Sequence, residues 1–119
     1  MKILVVDDNH EITFVIKAIL QQEQYHVRTA DSAMDGYIMY LQFQPDLVIT
    51  DIHMPRNNGF EMMEAIRIHN SEIKTIYMSA DPFSFGTRLR VEKEIYGTDL
   101  LNKPFTREDL LQTLSSMQN

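Results

Sequence analysis

Short apolar runs that end on polar side chains divide this chain, and longer stretches of helical period lie between them. Ile3-Leu4-Val5-Val6 stops at Asp7-Asp8, Leu47-Val48-Ile49-Thr50 at Asp51, and the run from Ile73 to Met78 at Ser79-Ala80. A strand covered on both faces reads as a continuous apolar run rather than an alternating one. Such strands separated by helical segments make βαβ units on a parallel sheet. That architecture places chemistry at the carboxyl ends of its strands, and those ends here carry three acids and one hydroxyl.

The first strand covers about 2–6, and Asn9 caps a helix with Ile12, Val15, Ile16, Ile19 and Leu20 on one stripe. A weaker strand over 26–29 follows. Ser32 caps a second helix that reaches about Phe43 and is ended by Pro45. The third strand is 47–50. Gly59 precedes a helix with Phe60, Met63 and Ile66 inward, and is expected to take a backbone conformation closed to other residues. The fourth strand, 73–78, leads through Pro82 into a stretch of poor period (Phe83, Phe85, Leu89, Val91, Ile95). A short fifth strand spans 98–101. Thr106 then caps a last helix, with Glu108 and Asp109 at its positive dipole end and Leu110, Leu111, Leu114 and Met117 inward. Five strands and five helices are expected in a single domain over 1–119, with no linker, repeat or low-complexity tract.

Charge and composition exclude several classes. Eleven basic against seventeen acidic residues give a net charge of −6, which repels a phosphate backbone, so direct nucleic-acid binding is not expected. There is no cysteine, hence no disulfide or thiol chemistry. No apolar stretch approaches the ~20 residues of a membrane span, and Met1-Lys2 leads into an apolar run of only four residues, so a secretory leader is not expected. A cytoplasmic protein with no membrane association is expected.

Asp7, Asp8 and Asp51 suit a hard cation. Mg²⁺ prefers a few carboxylates and retained waters, which acids converging from different strands provide. Without it, three ionised carboxylates repel: at ~5 Å and an effective dielectric of ~20, each pair costs roughly 3 kcal/mol. A divalent cation and Lys103 bring the local charge to zero. The same charges would stabilise a phosphoryl group arriving on Asp51, where catalysis is mostly positioning and electrostatics. Pro104 allows a cis bond that would aim Lys103, and the Ser79 hydroxyl would donate to a phosphoryl oxygen. The four histidines, His10, His26, His53 and His69, share no ligand spacing. His53, two residues after Asp51, is the one expected to border the pocket.

With these pieces in place, the chain resembles the receiver (response-regulator) domain of two-component signalling over essentially its whole length. The matching segments are Leu4-Val5-Val6-Asp7-Asp8-Asn9, Pro45 through Asp51 to Pro55 with Gly59 and Glu61, Met78-Ser79-Ala80, and Lys103-Pro104-Phe105. The resemblance implies an α/β, flavodoxin-like, doubly wound five-stranded parallel sheet of order 2-1-3-4-5. It implies that Asp51 accepts a phosphoryl group from a histidine kinase or histidine phosphotransfer protein. Asp7, Asp8, Asp51 and the backbone carbonyl of His53 would hold Mg²⁺, with Ser79 and Lys103 on the phosphoryl oxygens. The implied chemistry is limited to the domain's own phosphorylation and dephosphorylation. Its readout would be a downstream protein, an output domain or a phosphorylation-dependent homodimer.

Two positions depart from the pattern. Leu100 stands three residues before Lys103, where such domains usually carry Tyr or Phe, so the inward swing of that ring is not available. Pro82-Phe83-Ser84-Phe85-Gly86 interrupts the start of the fourth helix, which is expected to begin late or be mobile. These departures favour one competing reading, a receiver acting as a phosphorylation-independent interaction module; the intact acid, hydroxyl and lysine set argues against it. An aspartyl phosphatase on a similar sheet would carry a second acid two residues after the nucleophile, where this chain has His53.

Overall fold

The computed structural model describes residues 1–118, and in it all five strands run parallel. The elements are β1 (Lys2–Val6), α1 (His10–Gln22), β2 (His26–Ala30), α2 (Ala33–Phe43), β3 (Leu47–Asp51), α3 (Gly59–His69), β4 (Lys74–Ser79), a 3₁₀ turn (Pro82–Phe85), α4 (Gly86–Tyr96), β5 (Asp99–Asn102) and α5 (Arg107–Gln118). The sheet order is β2-β1-β3-β4-β5, the flavodoxin-like winding expected. Its order reverses between β1 and β3, which opens a crevice at their carboxyl ends.

The apolar runs become strands because both of their faces are covered. Every residue of β3 is buried, as are Ile3 to Val6 of β1. Edge strand β2 buries only Val27, which explains its weak signal in the sequence. Ile3, Val5, Ile49, Ile76 and Met78 pack on one face with Ile16, Leu20, Leu110 and Leu114 of α1 and α5. Leu4, Val6, Val48 and Tyr77 pack on the other with Phe60, Met63 and Ile66 of α3 and Tyr40 of α2.

Caps fix where the helices begin. The Asn9 side chain accepts from the N–H groups of Glu11 and Ile12, and Ser32 from that of Asp35. Thr106 and Asp109 exchange hydrogen bonds at 3.0 Å in each direction. Asn58 and Glu61 close a similar box at the head of α3, where the apolar period alone starts the helix later.

Several expectations need correction. Val15 is 52% exposed, because it lies about 100° around the helix from Ile16 and the buried positions of α1 are Thr13, Ile16 and Leu20. The fourth and fifth strands each sit one residue later than the apolar content suggests. Their limits follow pairing instead: Lys74 aligns with Leu47 and Ser79 with Asn102. The fourth helix does begin late, at Gly86 after the 3₁₀ turn.

Candidate functional site

The winding brings the ends of β1, β3, β4 and β5 to one edge. Val6 aligns with Thr50 and Asp51 with Met78, so Asp7 and Asp51 leave neighbouring strands at the same level. Asp7 is fully buried and Asp51 is 7% exposed, whereas Asp8 is exposed. One carboxylate oxygen from each of the three can be chosen so that all lie within 4.8 Å of one another.

Lys103 enters this cluster from the far side. Its Nζ donates to Asp7 Oδ2 at 2.7 Å and stands 3.5 Å from Asp51 Oδ1. The Lys103 N–H donates to the Ser79 carbonyl at 2.8 Å, which ties its backbone to the end of β4; the Lys103–Pro104 bond is cis, as the sequence allowed. Asp7 is also held by the Asn9 N–H, which donates to its Oδ1 at 2.9 Å. The buried Ser79 accepts from the Asp81 N–H at 3.0 Å through Oγ, which leaves its own proton free to donate.

One cation does not balance three carboxylates. Burial first and the Asp7 charge second push the Asp51 carboxyl from its ordinary 3.8 up to about 6, with Lys103 pulling the other way and Asp8 adding to the rise. The donor set therefore fits a hard divalent cation: oxygen ligands only, converging, and in electrostatic deficit.

The segment after Asp51 is pinned at both ends. The Ile52 N–H donates to the Met78 carbonyl at 3.1 Å and the Gly59 N–H to the Ile52 carbonyl at 2.9 Å. Thr50 Oγ1 donates to the Asp51 carbonyl at 2.9 Å. Gly59 is needed for closeness rather than for an unusual backbone angle. A Cβ there would lie 2.4 Å from the Asp51 carbonyl oxygen, while the positive-φ residue of this loop is Arg56. Such a contact across chain segments has no local sequence signal.

His53 is exposed at the rim, its ring edge-on to Phe85 at 4.8 Å, and its side chain is not among the converging donors. His10, His26 and His69 are exposed elsewhere, the last beside the Tyr37 hydroxyl at 2.7 Å. Leu100 packs part-buried against the α2–α3 core, in register with Tyr77. Tyr77 bonds Glu92 and approaches Arg67, a buried polar group that the sequence reading does not find. Next to Lys103 lies an apolar groove of about 430 Å³ lined by Ile12, Val15, Ile16, Ala80, Pro104 and Phe105.

A parallel doubly wound sheet with an acid cluster and a lysine at its switch point defines a small class of proteins, and comparison with known proteins narrows it. The family model described as response regulator receiver domain matches residues 3–115, and the chain belongs to that family. An uncharacterized response regulatory protein of Staphylococcus epidermidis is 33% identical over 112 residues, covering 92% of this chain and 43% of that protein. The transcriptional regulatory protein KdpE of Staphylococcus aureus is 28% identical, covering 92% and 46%. The chain thus spans less than half the length of these curated relatives. Among solved structures, chemotaxis protein CheY4 of Vibrio cholerae superposes with a TM-score of 0.89 at 28% identity, covering 98% of this chain and 97% of that one. No helix among the described residues is long and apolar enough to cross a membrane.

Proposed function

We propose that this receiver domain is a phosphorylation switch in which Asp51 takes a phosphoryl group from a phosphohistidine of a histidine kinase or phosphotransfer protein, in a Mg²⁺-dependent reaction. The convergence of Asp7, Asp8 and Asp51 within 4.8 Å, with Lys103 reaching into it, carries this reading. Asp7, Asp8, Asp51 and the His53 backbone carbonyl would hold the cation, which when bound supplies charge compensation for the carboxylates and the phosphoryl oxygens.

The residues divide the work. An Asp51 carboxylate oxygen forms the new P–O bond as the P–N bond to the donor imidazole breaks, and the imidazole leaves with the electron pair and takes up a proton. Lys103 pivots between Asp7 and an equatorial phosphoryl oxygen, since it already bridges Asp7 and Asp51. Ser79 donates its free proton to another. Hydrogen bonds from Thr50, Ile52 and Gly59 keep the Asp51 backbone fixed, so little reorganisation accompanies the transfer. The apolar groove beside Lys103 supports docking of the histidine-bearing partner on the α1 side of the pocket.

The chain acts as one receiver unit in the cytoplasm, and its output lies in a downstream protein, a linked output domain or a homodimer. The curated relatives described as transcriptional regulatory proteins and a hybrid signal transduction histidine kinase are consistent with such a linkage. Acetyl phosphate with Mg²⁺ should add one phosphoryl mass to the wild type and none to Asp51→Asn or to the chelated protein. Labelling that persists in either control rejects the assignment.

A further inference from the structure

A helix packed on a sheet ordinarily buries an apolar stripe, and α4 does not. Among the described residues it buries one, Glu92, at 3% exposure, while Val91 and Ile95 are exposed. Neither core takes a fully buried residue from α4, whose one apolar contribution is the part-buried Leu89 against the α2–α3 core. Beside Leu89, the face it turns to the domain is Arg88, Glu92 and Tyr96, spaced four apart.

Each of these three is tied to α3 or β4 by charge or ring contacts. The Glu92 carboxylate accepts from the Tyr77 hydroxyl of β4 and pairs with Arg67 Nη1 of α3 at 2.8 Å, with both Arg67 and Glu92 about 5% exposed or less. Burial first and the bond to Glu92 second push the Tyr77 phenol above its ordinary range, so it stays a donor. The Arg67 guanidinium carbon lies 3.7 Å from the centre of the Tyr96 ring, and Arg67 Nε is buried with no partner among the described residues. Arg88 pairs with Glu64 of α3 at 2.7 Å and lies over the Phe60 ring at 4.7 Å. Glu92 is thus the one fully buried residue of the helix among the described residues; two side chains outside the helix grip it, and Arg88 of the same helix approaches it at 3.5 Å.

We propose that α4 is a latched helix, held on β4 and α3 by the Glu92 carboxylate in the grip of Arg67 and Tyr77. Breaking that grip releases α4 as a unit while the sheet and the other helices stay folded. A buried pair adds little net stability over an apolar one of equal volume, but losing one partner strands the other charge. Such a contact suits an attachment that is either made or broken. Release uncovers the Phe60 and Tyr77 rings and the unpaired Arg67 cation, a surface absent from the latched form.

Hydrogen exchange on the unmodified chain tests this without reference to phosphorylation. In Glu92→Gln, amides of residues 87–96 should exchange about tenfold faster or more, with β1 and β3 unchanged. Tyr77→Phe should give a smaller acceleration in the same place. The triple variant Arg67→Met, Tyr77→Phe and Glu92→Leu, an apolar latch of similar volume that leaves no hydroxyl stranded, should restore wild-type protection. Unchanged exchange in α4, acceleration shared by every element, outright unfolding of Glu92→Gln, or failure of the apolar triple variant to restore protection would each overturn the proposal.

Discussion

Replacing Asp51 by Asn should make the metal-free domain more stable, although it removes the residue on which the chemistry depends. The Asp51 carboxyl, 7% exposed, is raised from 3.8 to about 6, burial being the largest cause and Asp7 the next. A carboxylate with a raised folded-state value opposes folding. The penalty is absent below 3.8, grows as pH rises toward 6, and is complete above it. At ~1.4 kcal/mol per unit the upper bound is about 3 kcal/mol; screening by solvent and salt at the pocket mouth reduces this to roughly 1–2 kcal/mol. For a domain of this size that corresponds to a rise in Tm of about 4–8 °C. Thermal melts followed by circular dichroism, in chelator and low salt, should show the gap at pH 7.5, its narrowing as pH falls through 6, and its closure only below 3.8. Excess Mg²⁺ should reverse the order, since the wild type alone gains full binding energy. A variant no more stable than wild type at pH 7.5 in chelator would refute the electrostatic argument.

The two acids after β1 should behave differently from each other. Asp8→Asn, at an exposed position, should leave the metal-free Tm within about 2 °C of wild type or slightly higher. Asp7→Asn, which weakens the bonds from Lys103 and Asn9, should cost about 1–3 kcal/mol by urea denaturation. Both should weaken Mg²⁺ binding in titration calorimetry, and equal stability of the two would count against the buried Asp7–Lys103 pair. Gly59→Ala drives a methyl against the Asp51 carbonyl oxygen and should cost about 1–3 kcal/mol. It should also slow labelling by acetyl phosphate; a loss below ~0.5 kcal/mol would show that the α3 start yields. Thr106→Ala, which opens the Thr106–Asp109 box, should cost about 1 kcal/mol with labelling unchanged, read by urea midpoint and mass spectrometry.

The residues that write themselves into the sequence are those fixed by period and by strand ends. Asp7, Asp51 and Ser79 each close a buried run, and Lys103 is marked by the proline after it, so their meeting at one edge follows from parallel winding. Contacts between distant segments leave no such trace. Gly59 reads as a turn glycine, yet its constraint is the Asp51 carbonyl eight positions back across a folded loop. Tyr77 reads as one more member of an apolar strand, and Glu92 as a solvated charge on a polar helix. Only packing shows that they meet Arg67 in a dry interface. Val15 fits the apolar period of α1 but lies at the groove instead of in the core. Periodicity counts apolar side chains and does not distinguish a core neighbour from an open one.

The two packed layers on either side of the sheet share no side chain. Changes in separate, non-touching sets combine nearly additively. The layer of α1 and α5, which borders the groove beside Lys103, is therefore free to be resculpted without compensating change around α2 and α3. The sheet insulates one surface of the molecule from the history of the other. What both must preserve is the row of strand ends between them, so divergence has room on either flank and almost none at the seam.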